Sequence, residues 1–380
     1  MNLSDYYKYS LFANLSYILW GEKASIGTQS DPNPRINGAV EGSRVPRLLA
    51  TQIFRDDQWY IPTSNGFVPN DPSGFAANVF VKGTSNEKVL AIRGTEPDFS
   101  FAPLNLLPVD LWPADFYEIA RYGLALHQAV SLINYVLLLK TPVGSQTEQF
   151  ALHIEDFLGT QQPPDNRKFF SAGKNFWLEA TSRVDGLGLL AASDTITVTG
   201  HSLGGHLAAL ALRLFPGLFD QGVTFNAAGF DNSFLSLQLT DEFVGLFAQM
   251  LPQENPAPSF ASLQSKLFTA EAESAHAGDD ADVVPSWWTG ADPTFDTTLI
   301  RTEVNSHSMD QFQDNLAIHS LLERLGVSLS VENVFDMYDA ASADGDRSSE
   351  VLVSALYKLV KGSSLQLLTV AAGTVFMAPR

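Results

Sequence analysis

One serine in the chain lies in a sequence that suits covalent catalysis. The segment Gly200-His201-Ser202-Leu203-Gly204 has the pattern G-x-S-x-G, and a further glycine follows it. In enzymes that use this pattern the serine lies on a sharp, strained turn between a strand and a helix. Residues two positions before and after the serine must then lack bulk, so that the two backbones can pass each other. The pattern therefore predicts Ser202 as a nucleophile, provided that a strand precedes it and a helix follows.

The residues on either side of Ser202 meet that condition. Residues 194–199, DTITVT, carry β-branched side chains at the spacing of a strand. Residues 206–215, HLAALALRLF, are rich in leucine and alanine and favour a helix. A helix that begins at the serine directs its first N–H groups and its positive dipole end toward negative charge developing there.

A serine hydroxyl group needs a base, usually histidine, and the histidine needs a carboxylate to orient it. In the α/β fold that uses this turn, the chain order is serine, acid, histidine. His276, His307 and His319 follow the predicted helix, whereas His206 lies inside it and would point away from Ser202. His307 lies in a polar loop sequence, NSHSMD, of the kind that carries catalytic groups, whereas His319 lies within a helical pattern. We predict His307 as the base, with His319 as the alternative.

The predicted acid is Asp282, in the segment ADVVPSWW. The apolar residues that follow it would anchor the carboxylate at the end of a strand. Asp279 and Asp280 are close competitors in the same acidic loop, and Asp231, which follows the predicted strand QGVTFNAAGF, is the structural alternative.

The order of short apolar strands and longer helices predicts a mostly parallel central sheet covered by helices on both faces. Together with the turn at Ser202, this predicts an α/β-hydrolase fold. Residues 1–20 suit an amphipathic helix packed on the domain. Residues 76–82 and 87–94 indicate two strands joined by a turn, and residues 176–190, FWLEATSRVDGLGLL, are expected to form a helix. We expect a catalytic domain over 1–325, followed by a C-terminal helical extension over 326–380.

Composition narrows the function classes. The 380 residues carry 42 acidic and 23 basic side chains, a formal net charge of −19. Such a surface repels phosphate backbones, which argues against a nucleic-acid partner. There are no cysteines, and no run reaches the about 18 apolar residues that a transmembrane helix needs. No Sec-type signal pattern begins the chain; we expect a secreted protein exported by another route, with the cytoplasm as the alternative.

Three separated segments resemble the class 3 lipases, the group that includes the fungal triacylglycerol lipases and bacterial phospholipase relatives. Residues 91–96, AIRGTE, are similar to the family's R-G-T strand end. Residues 200–205, GHSLGG, resemble its nucleophile turn, and residues 282–285, DVVP, resemble its acid motif, with His307 downstream where its base lies. The resemblance implies that Thr95 and the backbone N–H of Leu203 stabilise the oxyanion.

The resemblance also implies a substrate class. We expect a triacylglycerol lipase without a required cofactor, with phospholipase A1 or a general carboxylesterase as the alternative and an inactive lipid-binding module as a remote one. Residues 97–116, apolar and broken by prolines, occupy the place of the family's lid. The run at 344–350, DGDRSSE, has the acidity of a weak calcium site, but a solvated turn is the simpler interpretation. Nothing in the sequence indicates an oligomeric state.

Overall fold

A computed structural model describes the parts of the chain that carry most of the predicted nucleophile site. The residues it describes are 1–17, 53–54, 57–62, 67–68, 71–94, 118–119, 121–154, 166–170, 176–230, 237–274, 297–302 and the single positions 309, 313, 316 and 320. They belong to two compact units. The smaller unit contains 1–8, 271–274, 298–302 and the four single positions, and the larger contains the described residues from Tyr9 to Ala270, with Thr297. The predicted extension 326–380 lies outside the described residues.

Four α-helices and eleven strands are formed by the described residues. The helices are α1 (Leu3–Leu15), α2 (Leu126–Lys140), α3 (Leu203–Leu214) and α4 (Thr240–Met250), with 3-10 turns at Pro252–Glu254 and Phe260–Leu263. The strands are β1 (Trp59–Tyr60), β2 (Phe67–Val68), β3 (Ala77–Lys82), β4 (Glu87–Ile92), β5 (Gln146–Ile154), β6 (Lys168–Phe170), β7 (Phe176–Asp185), β8 (Thr195–His201), β9 (Gln221–Phe225), β10 (Leu267–Ser274) and β11 (Thr297–Thr302). Among these helices, none combines the length and apolar character that crossing a membrane requires.

The larger sheet is mixed. Its described strands run in the order β1-β3-β4-β8-β9-β10-β11, and β2 pairs with β3. The neighbours β4, β8, β9 and β10 are parallel, as expected for the centre of the sheet. At one edge β1, β2 and β3 pair antiparallel, so the sheet is less uniformly parallel than the sequence analysis expected. The predicted β3–β4 pair is confirmed, with Val79 opposite Leu90.

The helix expected over residues 176–190 is wrong, because residues 176–185 form β7. This strand lies between β5 and β6 in a separate antiparallel sheet of three strands. Phe176, Leu178 and Ala180 are buried, whereas Trp177 and Glu179 between them are partly exposed. The apolar period is therefore two rather than 3.6, and pairing on both sides supplies the backbone hydrogen bonds that a helix would have supplied internally.

Helices cover both faces of the central strands in the larger unit. Val79, Leu90 and Val198 belong to one apolar cluster with residues of α2, α3 and α4. The neighbouring residues point to the opposite face, because side chains alternate along a strand. There Phe80 contacts Phe12 of α1, with ring centroids 5.1 Å apart, and Thr197 donates a hydrogen bond to the hydroxyl group of Tyr9 at 3.2 Å.

Candidate active site

Ser202 lies on a strained turn between β8 and α3, which begins at the next residue. Its φ and ψ angles are 57° and −125°, outside the regions that L-residues ordinarily occupy. The Ser202 N–H donates to the carbonyl of Phe225 at 3.0 Å. The Ser202 carbonyl accepts from the N–H groups of His206 and Ala228 at 3.1 and 3.3 Å. These bonds hold the unusual backbone conformation from β9, from the loop after β9 and from α3. The strand and helix predicted to flank Ser202 are thus confirmed.

Glycines allow three backbone segments to meet at this turn. A Cβ atom on Gly200 would lie 2.2 Å from the carbonyl oxygen of Gly204. A Cβ atom on Gly204 would lie 2.2 Å from the carbonyl oxygen of Ile92, at the end of β4. Both distances are far shorter than van der Waals contact. The G-x-S-x-G spacing is therefore a steric requirement, because α3 turns back across β8 and also presses on β4.

The end of β4 lies directly beside Ser202. A Cβ atom on Gly94 would be 2.4 Å from the carbonyl oxygen of His201 and 3.2 Å from the Cβ atom of Ser202. Thr95 is the next residue, so the chain passes the nucleophile immediately before the predicted oxyanion donor. Leu203, the other predicted donor, is the first residue of α3, and the first N–H groups of a helix have no acceptor within it. The Leu203 side chain is buried in a small cluster with Ile119, Ala125 and Ala228.

His206 joins three segments behind the turn and is held in its neutral form. Its Nδ1–H donates to the carbonyl of Gly229 at 3.1 Å, and its Nε2 accepts from the N–H of Ala125 at 3.5 Å. The ring stacks on Phe230, with centroids 3.9 Å apart. Burial lowers the pKa of His206 from its ordinary 6.5 to about 4, and hydrogen bonds to backbone carbonyls oppose part of that shift. The ring thus bonds to Gly229 and Ala125, in agreement with the expectation that His206 points away from Ser202.

Tyr17 contacts the residue before the nucleophile. Its Oη lies 2.8 Å from Nδ1 of His201, across a sequence separation of 184 residues. The two rings meet edge to face, with centroids 6.0 Å apart and an interplanar angle of 61°. No local sequence pattern predicted the contact of Tyr17 or the structural role of His206, because each joins segments that are distant in the chain.

Solvent scarcely reaches the predicted nucleophile, since Ser202 is 1% exposed and His201 is 2% exposed. Among the described residues, no group of three or more acidic or histidine side chains has the arrangement of a metal site.

Several predicted site residues lie outside the described residues. These are Thr95, Asp282 and His307, the alternatives Asp231, Asp279, Asp280, His276 and His319, the lid segment 97–116 and the acidic run 344–350. Their roles stay predictions.

The close approach at Gly204 gives a first prediction. Gly204→Ala should lower the free energy of unfolding by about 3 kcal/mol, because its methyl group meets backbone atoms that have little room to move. Gly245→Ala is the matched control: Gly245 is an exposed position of α4, and a Cβ atom there meets nothing within 4 Å. Its free energy of unfolding should rise by about 0.5–1 kcal/mol, since alanine is the better helix former. Urea denaturation followed by circular dichroism measures both changes, and equal effects would contradict the steric argument.

The buried imidazole of His206 gives a prediction about pH. As the pH falls below 6.5, the unfolded chain binds a proton at this position, whereas the folded chain does so only near pH 4. The free energy of unfolding should therefore fall as the pH is lowered, with about 2 kcal/mol from this group between pH 8 and pH 5.

His206→Gln tests this assignment, since glutamine keeps a donor and an acceptor but does not titrate in this range. The difference in unfolding free energy between pH 8 and pH 5, measured by urea denaturation, should shrink by that amount in the variant. An unchanged difference would contradict the prediction.

Comparisons with known proteins assign no family. No protein-family model and no curated protein matches the chain. The crystal structure of M37 lipase is 11% identical, with 84% of this chain and 93% of that chain covered and a TM-score of 0.31. The structure of MGS-MChE2, an α/β-hydrolase enzyme from the metagenome of sediments from the lagoon of Mar Chica, Morocco, is 15% identical, with 35% and 63% covered and a TM-score of 0.19. Both likenesses are too weak to argue from, and the resemblance to class 3 lipases stays a prediction.

Proposed function

We propose that this chain has the α/β-hydrolase fold and hydrolyses the carboxylic esters of lipids, as a triacylglycerol lipase does, through an acyl-enzyme on Ser202. One observation carries the proposal. A non-glycine residue at φ 57° stands between a central parallel strand and a helix, held by hydrogen bonds from three segments. Strain of this kind persists where function requires it and the surroundings enforce it.

The position of Ser202 in the sheet supports the same function. β8 pairs in parallel with β4 on one side and with β9 on the other. Ligands of open α/β sheets bind beyond the carboxyl ends of the strands, and Ser202 follows the carboxyl end of β8. The first turn of α3 offers N–H groups there, and this is the feature that stabilises a negatively charged intermediate.

In the proposed mechanism Ser202 Oγ attacks the ester carbonyl carbon while His307 takes its proton. Asp282 orients the imidazole and stabilises its charged form. The carbonyl oxygen becomes an oxyanion, bound by Thr95 and the N–H of Leu203. Collapse of this intermediate breaks the bond to the leaving alcohol, which takes the proton from His307. A water molecule then attacks the acyl-enzyme by the same steps, releasing the fatty acid and restoring Ser202.

The order of the predicted triad along the chain agrees with the order of the strands. Ser202 follows β8, Asp282 comes after β10, and His307 comes after β11. The alternative acid, Asp231, comes after β9 instead. The lipid preference has separate support, namely the apolar sequence of 97–116 next to the predicted oxyanion donor.

Replacement of the nucleophile tests the reaction. Ser202→Ala should lower the hydrolysis of p-nitrophenyl butyrate by more than about 10³-fold, because the covalent route is lost. The wild-type chain should also be labelled by a fluorophosphonate probe, with the added mass on the peptide that contains Ser202. An unchanged melting temperature in the variant would separate loss of chemistry from loss of fold. Substantial turnover by Ser202→Ala, or no labelling of the wild type, would overturn the proposal.

The base and the acid are tested with paired variants. His307→Gln and Asp282→Asn should each lower kcat on the same ester by about 10³-fold or more. His319→Gln and Asp231→Asn are the matched controls and should stay within about threefold of the wild type, a range typical of residues outside the reacting groups. If a control loses activity while its partner keeps it, that member of the triad must be reassigned.

The substrate class needs a comparison of two lipids. Triacylglycerol emulsions and phosphatidylcholine vesicles, assayed in parallel by release of fatty acid, separate a lipase from a phospholipase A1. We expect faster release from the triacylglycerol.

A further inference from the structure

We propose that Tyr17 is a positioning residue for the nucleophile, whose hydroxyl group holds His201, and with it the strained turn at Ser202, against the end of β4. This inference rests on the proposed function, since it assigns a residue to the same reaction. Tyr17 follows α1, far from the other predicted site residues in sequence. Its role would be to act through His201, without contact to the substrate.

The main chain at Tyr17 is fixed to the sheet and can transmit a constraint. The carbonyl of Ser16 accepts a hydrogen bond from Nδ2 of Asn78 in β3, at 3.4 Å. The N–H of Tyr17 donates to the carbonyl of Asn14 at 3.1 Å, which closes the end of α1. Five residues before Tyr17, Phe12 packs edge to face on Trp59 with centroids 4.6 Å apart. The phenol ring therefore starts from a backbone that is anchored on β1 and β3.

The Tyr17 hydroxyl group lies in the same tight contact as the nucleophile. Its oxygen is 2.6 Å from the point that a Cβ atom on Gly94 would occupy. The same point is 3.2 Å from the Cβ atom of Ser202 and 2.4 Å from the carbonyl oxygen of His201. The hydroxyl group, the end of β4 and the nucleophile turn thus meet around one glycine. A shift of any one of them is felt by the other two.

Arg93, the residue before Gly94, interacts electrostatically with Tyr17. Burial lowers the pKa of Arg93, and the phenol of Tyr17 opposes part of that shift. His201 is 2% exposed and Tyr17 is partly exposed, so the hydrogen bond between them is partly buried. Loss of a hydrogen-bond partner costs more where water is excluded.

The hydrogen bond from Tyr17 supports the strained turn at Ser202. The backbone at Ser202 is strained, and strain relaxes unless the surroundings over-determine the conformation. Backbone hydrogen bonds reach Ser202 from β9, from the loop after β9 and from α3. The bond from Tyr17 holds the preceding residue from the direction of β4 and α1. Without it, the turn can relax, and a displacement of Ser202 by a fraction of an ångström is enough to slow the chemistry.

Tyr17→Phe is the test, because it removes only the hydroxyl oxygen. We expect kcat for p-nitrophenyl butyrate to fall about tenfold while KM changes less than twofold, and the rate of fluorophosphonate labelling at Ser202 to fall in parallel. Tyr9→Phe is the matched control. Tyr9 lies in α1, which precedes Tyr17, and its hydroxyl group bonds to Thr197 of β8 and Gln221 of β9, at 3.2 and 2.7 Å, away from the turn. The kcat of Tyr9→Phe should stay within twofold of the wild type, even if its melting temperature falls by as much as that of Tyr17→Phe.

A double-mutant cycle with His201→Gln adds a readout that a general loss of stability does not move. If Tyr17 acts through His201, the double variant should be no slower than the slower single variant. If the fold-loss in kcat of the double variant equals the product of the two single-variant losses, the inference is overturned. Where Tyr17→Phe does not fold, His201→Gln alone tests the same bond, with the same expected fall in kcat at unchanged KM.

The outcomes separate the two proposals. If Tyr17→Phe and Tyr9→Phe have equal kcat values, the inference about Tyr17 is overturned and the proposed hydrolase activity stands. If the wild-type chain is neither active on esters nor labelled at Ser202, the proposed function is overturned, and the role of Tyr17 with it.

Discussion

The close approach of β4, β8 and α3 is the constraint on which the rest of the candidate site depends. A helix that leaves a central strand through a turn at φ 57° must cross its neighbours at backbone distance. Gly94, Gly200 and Gly204 stand at the crossing points, and a Cβ atom on any of them would lie within 2.4 Å of a carbonyl oxygen. Three separated segments of sequence are therefore tied to one geometry. The first turn of α3 comes to lie beside the carboxyl end of β4 for the same reason.

The two faces of the central strands differ in the share of polar contacts that hold them. On the face of α2, α3 and α4 the contacts are apolar and belong to one large cluster. On the face of α1 several are polar, since Tyr9, Ser16 and Tyr17 all hydrogen-bond to the sheet or to its end. Apolar contacts are non-directional, whereas each hydrogen bond requires a defined partner and distance. These polar contacts give α1 and the residues after it a defined place on this face of the sheet.

The sequence predicted those parts of the structure that local pattern determines. Local pattern predicted β8, the turn at Ser202 and α3. Here β-branched residues, glycines and a leucine-rich segment follow one another directly in the sequence. The β3–β4 pair and β9 were predictable for similar reasons. β7 was not predictable, because the local sequence FWLEATSRVD is compatible with a helix. Its strand conformation depends on pairing with β5 and β6, which lie elsewhere in the chain. The contacts of Tyr17 and His206 were also beyond prediction, since they depend on a hydrogen bond and a ring stack between distant segments.

The described histidines narrow the search for the base. Both ring nitrogens of His206 hydrogen-bond to backbone groups, Nδ1 to the carbonyl of Gly229 and Nε2 to the N–H of Ala125. These bonds hold the ring in place in its neutral form. His201 uses Nδ1 for Tyr17. His127 bonds to Glu118, and His153 lies 3.0 Å from Glu179 and stacks on Trp177. Each of the four has a partner other than Ser202 that accounts for its position. The histidines that remain, at 276, 307 and 319, all follow β10 in the chain. This agrees with the chain order of serine, acid and histidine in the proposed triad, in which the acid and the base both come from segments after the turn.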